Sequence, residues 1–194
     1  MDFNKTFSEL ADHVIKEATG HTFNLAGLPP YDDVQPKIEG VEKVNIRLHG
    51  ELIPLFQFLD SKENHCLYWF ELEDNDSCMK LNEILNEKRE ALRPFRTVPC
   101  TNKNSNSNVL YVGIRRGGFT KKYELSNIAG RMIQHLGYYQ VGTTQGLQLI
   151  HWAAESNLKV TIKVYEFEKE FPNHYLGSME KIVAHKLQPL SGKH

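Results

Sequence analysis

Three short β-forming runs, HCLYWFEL at 65–72, VLYVGI at 109–114 and LKVTIKVYEF at 158–167, stand among stretches whose apolar residues recur at helical spacing. That mixture restricts the fold more than any other feature, because short strands and one-sided helices must bury their apolar faces against each other. The last run alternates Val160, Ile162 and Val164 with polar residues. A further strand is expected in VEKVNIRL at 41–48, from Val41, Val44, Ile46 and Leu48. Helical spacing predicts helices over 5–18 (Phe7, Leu10, Ala11, Val14, Ile15) and over 76–93 (Met79, Leu81, Ile84, Leu85, Leu92), the second ended by Pro94. A third runs from about Glu124 to Leu136 with Gly137 as its C-cap, and a fourth, capped by Thr143 or Thr144, carries Leu147, Leu149, Ile150 and Trp152. A last helix starts near Pro172 and runs to about Leu187. LAGLPPYDDVQP reads as a loop and TNKNSNSN at 101–108 as an unstructured polar one. The order indicates an α+β fold with a small, mainly antiparallel central sheet flanked by helices.

A chain of 194 residues has room for one domain, or one domain with an accessory element. The division expected here is an N-terminal extension over 1–63, packed on the core or accessory to it, and a main unit over 64–194 with an insertion at about 74–108. No apolar run approaches the roughly 18–20 residues of a membrane helix, and the N-terminus MDFNKTFSELADHVIKEATG lacks the charge and apolar pattern of a signal peptide. A cytoplasmic protein is expected. Cys66, Cys78 and Cys100 form no CxxC pair, which argues against a disulfide framework or a structural zinc site. A net charge of −1 excludes a uniformly basic nucleic-acid coat but not a local basic site.

Such a site is suggested by Arg115, Arg116, Lys121 and Lys122, which follow the VLYVGI run closely and surround Gly117 and Gly118. Arg131 and His135 are four apart and share a helix face. Glu180 borders the apolar stripe of Met179, Ile182, Val183 and Leu187. Each of these residues alone is unremarkable: strand tyrosines are usually packing residues, and helix arginines and glutamates usually face solvent.

Taken in order, CLY at 66–68, YVG at 111–113, Arg131 with His135 and then Glu180 resemble the GIY-YIG nuclease superfamily. That family carries two short motifs on adjacent antiparallel strands, then an arginine on the next helix and a glutamate on a later one. The resemblance covers roughly 64–194; Cys66 and Leu67 stand in place of the first motif's Gly and Ile, and no asparagine stands near Gly192, where the family has one. It implies a metal-dependent endonuclease acting on DNA, with Tyr68, Tyr111, Arg131, His135 and Glu180 catalytic. Glu180 would hold one Mg²⁺ or Mn²⁺ ion, a hard cation suited to a carboxylate. Arg131 would offer its planar fork to phosphate. A tyrosine would be the general base, Tyr68 being the first candidate, with Tyr111 orienting the water and His135 assisting proton transfer or holding a tyrosine. The basic residues Arg115, Arg116, Lys121 and Lys122 would bind nucleic acid. No membrane partner is implied, and a homodimer stays open. Two other readings also stay open: a catalytically degraded member that binds nucleic acid or protein, and an unrelated α+β domain.

Overall fold

Five consecutive residues, Cys66, Leu67, Tyr68, Trp69 and Phe70, are buried whichever way their side chains point. Only a strand in mid-sheet, with a layer on each face, buries both of its faces. The computed structural model, which describes residues 3–34, 46–117, 127–138 and 145–192, places them there. This strand, Cys66–Glu71, belongs to a four-stranded antiparallel sheet whose members are β1 (Thr19–Asn24), β2 (Cys66–Glu71), β3 (Val109–Arg115) and β4 (Lys159–Glu166). Their spatial order is β1-β4-β2-β3. Tyr68 stands opposite Val164 on one side and opposite Gly113 on the other.

The helices are α1 (Phe3–Glu17), α2 (Tyr31–Val34), α3 (Ile53–Asp60), α4 (Asn75–Leu92), α5 (Ile128–Leu136) and α6 (Asn173–Leu187). They form a layer on each face of the sheet. On one face Tyr68, Phe70, Ile162 and Val164 pack with Leu55 and Phe56 of α3, Leu81 and Leu85 of α4, and Met132 and Leu136 of α5. On the other, Leu67, Trp69 and Val112 pack with Ala11 and Val14 of α1 and with Met179 and Val183 of α6. The alternation of β4 and the two-sided burial of β2 thus specify an α+β sandwich. The β2–β3 register slips between Phe70 and Glu71. This bulge lets Leu110 and Tyr111 both face the first core while Val109 faces the second.

Residues 3–24 are built into this sheet. β1 is hydrogen-bonded along β4, and α1 covers part of the second core. β1 has only one buried residue, Phe23, so its sequence lacks an alternating signal.

Three local expectations change. In the strand expected at 41–48, residues 41–45 lie outside the described residues, and Ile46–Leu48 is a 3₁₀ turn with Leu48 70% exposed. Ile46 alone turns inward, and the chain then bends at Gly50 (φ 32°) into a second 3₁₀ turn before α3. The helix expected around Leu147–Trp152 is replaced by 3₁₀ turns at Leu149–His151 and Ala154–Ser156. Left-handed Gln148 (φ 60°) and Asn157 (φ 52°) break any α-helix there, and its proposed caps Thr143 and Thr144 lie outside the described residues. The 101–108 segment is irregular but tied down. Asn102 and Asn104 donate side-chain hydrogen bonds to the Pro189 carbonyl, and Ser107 Oγ donates to that of Leu187. Of the helix expected from Glu124, residues 124–126 also lie outside the described residues. Asn127 caps α5 by accepting from Gly130 N–H at 2.9 Å, and Gly137 (φ 97°) closes it. No helix among the described residues is long and apolar enough to cross a membrane.

Candidate active site

Tyr68 and Tyr111 come from neighbouring strands and lean toward one face of the sheet, their ring centroids 6.4 Å apart. Both tyrosines crowd Gly113: a β-carbon there would sit 2.7 Å from Tyr68 Oη and 2.8 Å from the Tyr111 ring. The glycine of the second motif is thus explained by sterics, since any side chain would displace the Tyr68 hydroxyl.

α5 lies over these rings. Its cap fixes where it starts, so Arg131 and His135, one turn apart, both face the sheet. Arg131 Nε donates to Tyr68 Oη at 3.1 Å, and its Nη1 donates at 2.8 Å to both Gln134 Oε1 and the Gln145 carbonyl. It also hydrogen-bonds Tyr111. Three of its five N–H groups are therefore committed to Tyr68, Gln134 and Gln145. With the Tyr111 bond added, the fork expected to grip phosphate is largely occupied in holding the site together. His135 is fully buried, with Nε2 2.8 Å from Tyr68 Oη and Nδ1 3.1 Å from Leu147 N.

Glu180 joins from α6, in the opposite layer. It can do so because α6 packs along β3, the edge strand. The Glu180 charge acts on both tyrosines, and Arg131 acts on Glu180. Glu180 is half-buried and makes no hydrogen bond or ion pair among the described residues. Tyr68, Tyr111, Arg131, His135 and Glu180 thus gather in one place.

Burial governs the protonation states. It raises the Tyr68 and Tyr111 hydroxyls, with the Arg131 charge opposing it at both. Burial, helped by Arg131, holds His135 well below the usual histidine value. Burial also raises Glu180, against the pull of Arg131 and Lys181. Arg115 extends from the end of β3 toward the same group, and burial and the nearby Arg131 both lower its pKa. Arg115 and Arg131 both act on Tyr68, where Glu180 is the one carboxylate acting with them, a local excess of positive charge suited to an anion.

Arg116 is exposed, and Lys121 and Lys122 lie outside the described residues. Gly117 makes its close approach to the chain itself: a β-carbon there would lie 2.3 Å from the Asn64 carbonyl carbon, and its N–H donates to His65 Nδ1 at 2.8 Å. A cavity of about 790 Å³ lies beside this contact, lined by Asp60, Lys62, His65, Asn127 and Lys169 among others, and none of the five clustered residues is in its described lining.

No group of three or more His, Cys, Asp or Glu side chains among the described residues could hold a metal. The one carboxylate in the cluster is Glu180. An ion bound there would complete its shell with water and phosphate oxygens, which is how Mg²⁺ is commonly held. A half-buried carboxylate lacking a hydrogen-bond donor fits that role.

Sequence reasoning missed Gln134, the Gln145 carbonyl and the Leu147 N–H. Gln134 was open to detection, three residues after Arg131 on the same helix face. It also missed Ser191, buried beside β3, whose N–H donates to the Leu110 carbonyl at 2.8 Å and whose Oγ lies 3.1 Å from Asn82 Oδ1. Ser191 therefore occupies the edge beside Tyr111, near where the resemblance puts an asparagine. Comparison with protein-family models, with curated proteins and with solved structures finds no match to the chain.

Proposed function

We propose that the chain is a divergent GIY-YIG-type, metal-dependent endonuclease that hydrolyses phosphodiester bonds in DNA. The observation that carries this reading is the convergence of Glu180, Arg131, Tyr68 and Tyr111 from two strands and two opposite helical layers. Tyr68 and Glu180, 112 positions apart in sequence, come into electrostatic contact through the packing of α6 along β3. The adjacency of β2 and β3 in antiparallel register, with both motif tyrosines on one face, supports it further.

In this reading the charges of Arg131 and Arg115 stabilise the negative charge that builds on the phosphoryl oxygens. Glu180 holds one Mg²⁺ or Mn²⁺ ion, which when bound supplies Lewis-acid stabilisation. Gln134 and the Gln145 carbonyl keep Arg131 aimed, and Gly113 keeps room for the tyrosine hydroxyls.

The test is cleavage of supercoiled plasmid and labelled oligonucleotides with Mg²⁺ or Mn²⁺, comparing wild type with Glu180→Gln and Arg131→Ala. Glu180→Gln changes a side chain that makes no hydrogen bond among the described residues, so the fold should survive it. We expect metal-dependent cutting that drops by roughly 10²-fold or more in that variant, with DNA binding kept. Arg131→Ala should abolish cutting and also lower stability. Absence of cutting by folded wild-type protein on every DNA tried would move the reading to a nucleic-acid-binding domain without catalysis. The burial of Tyr68, only 1% exposed, is the observation that favours that alternative.

A further inference from the structure

Among the described residues the Tyr68 oxygen hydrogen-bonds Arg131 and His135. Arg131 Nε donates to it at 3.1 Å. For His135 Nε2, at 2.8 Å, the direction depends on the tautomer, and the far side of the imidazole decides it. Nδ1 lies 3.1 Å from Leu147 N, and a backbone N–H donates but cannot accept, so Nδ1 carries a lone pair. The fully buried ring is neutral, because burial and the Arg131 charge both oppose its protonation. A neutral imidazole with a bare Nδ1 has its one proton on Nε2, and that proton points at Tyr68. A hydroxyl oxygen offers two acceptor positions and one proton. His135 and Arg131 fill both positions. What Tyr68 has left to offer is its own O–H, beside Gly113 and the Tyr111 ring.

We propose, resting on the nuclease reading above, that Tyr68 enters the reaction as a proton donor to the departing sugar oxygen, and that His135 is the positioning residue that sets this direction. As a water oxygen bonds to phosphorus and the bond from phosphorus to the sugar oxygen breaks, the electron pair of that bond stays on the sugar oxygen. That oxygen takes the Tyr68 proton. Tyr68 is left as a phenolate, whose charge is met by the His135 Nε2–H and by Arg131. The proton released by the attacking water goes to solvent, and the phenolate regains one from solvent, so atoms and charge balance over the cycle. Burial keeps the Tyr68 phenol protonated at neutral pH despite Arg131, which suits a donor and disables a base. The phenol remains a much stronger acid than water, whose pKa is about 15.7, and a sugar alkoxide is comparably basic to hydroxide.

The experiment compares wild type and Tyr68→Phe on ordinary oligonucleotides and on oligonucleotides with sulfur in place of the 3′ or the 5′ bridging oxygen, with Mn²⁺. A thiolate leaves without protonation. Tyr68→Phe should lose about 10²–10⁴-fold on ordinary DNA and at least tenfold less on the sulfur substrate that places sulfur at the broken bond. An equal loss on both substrates overturns the proposal while leaving the nuclease reading intact. Failure of wild type to cut any substrate overturns the nuclease reading itself. Because Tyr68→Phe strands two donors and could perturb folding, a second measurement uses the unmodified protein: ¹⁵N chemical shifts of His135 should show Nε2 protonated and Nδ1 bare at pH 7. A protonated Nδ1 overturns the proposal independently of activity.

Discussion

Glu180 is half-buried and accepts no hydrogen bond among the described residues, so ionising it works against folding. Burial raises its pKa more than Arg131 and Lys181 lower it. The sign of the pH dependence follows. A carboxyl whose folded pKa is raised binds its proton more tightly when folded, so its favourable contribution is full at acid pH and is lost as pH rises through the folded value. Glu180→Gln removes that penalty. The variant should melt about 1–3 °C above wild type at pH 7, and the gap should close as pH falls below about 4.3, the ordinary glutamate value. Thermal melts at pH 4, 6 and 8 check this, and a variant less stable than wild type at pH 7 refutes it. The gain in stability paired with the loss of cutting would mark Glu180 as kept for chemistry. At this scale the sequence was informative wherever a side chain carries the role: Tyr68, Tyr111, Arg131, His135 and Glu180 could all be named from motif order. It was silent about the Leu147 N–H, because a backbone donor looks alike at every position.

The cap of α5 does two jobs. Asn127 Oδ1 accepts from Gly130 N–H, while its Nδ2 donates to Asp60 Oδ1 at 3.1 Å. Asp60 Oδ1 also pairs with Arg47 at 2.9 Å. Because Arg131 and His135 follow on the next turns, the seat of the helix start sets where they land. Asn127→Ala should cost about 1 kcal/mol through the lost cap. Asn127→Asp keeps a good capping oxygen yet should be no more stable than the alanine variant, since it puts a second carboxylate against Asp60. Denaturant titration of the three proteins decides it; an aspartate variant as stable as wild type would mean that the Asp60 contact does not form. The helices α1, α4, α5 and α6 were readable because their apolar spacing and stop signals agree. β1 was not, having a single buried residue, and the apolar spacing of Leu147, Leu149, Ile150 and Trp152 suggested a helix that left-handed Gln148 forbids. There the chain's polar groups serve other ends: Leu147 N–H goes to His135 and its carbonyl to Trp152 Nε1.

Across the whole molecule, the second core needs α1, and β4 needs β1 along its outer side. The first core takes Leu55, Phe56 and Leu59 from α3. A fragment spanning 64–194 therefore leaves apolar faces of both cores bare and should not melt cooperatively; a sharp thermal transition in it would show that the first 63 residues are dispensable to the fold. The α+β class was legible because periods of two and of helical spacing alternate along the chain. The sheet order was not, since nothing in a strand's sequence says which strand it joins. That order has a consequence in time. Thr19 pairs with Val164, so the sheet closes only when the earliest strand meets the latest, a slow event entropically compared with local helix formation. α6 packs against α1 as well as β3 and follows β4 in the chain, so the helix that carries Glu180 completes its packing only after that meeting. On the nuclease reading proposed above, cutting of DNA should be the last property to return during refolding, and partly assembled molecules would leave DNA intact.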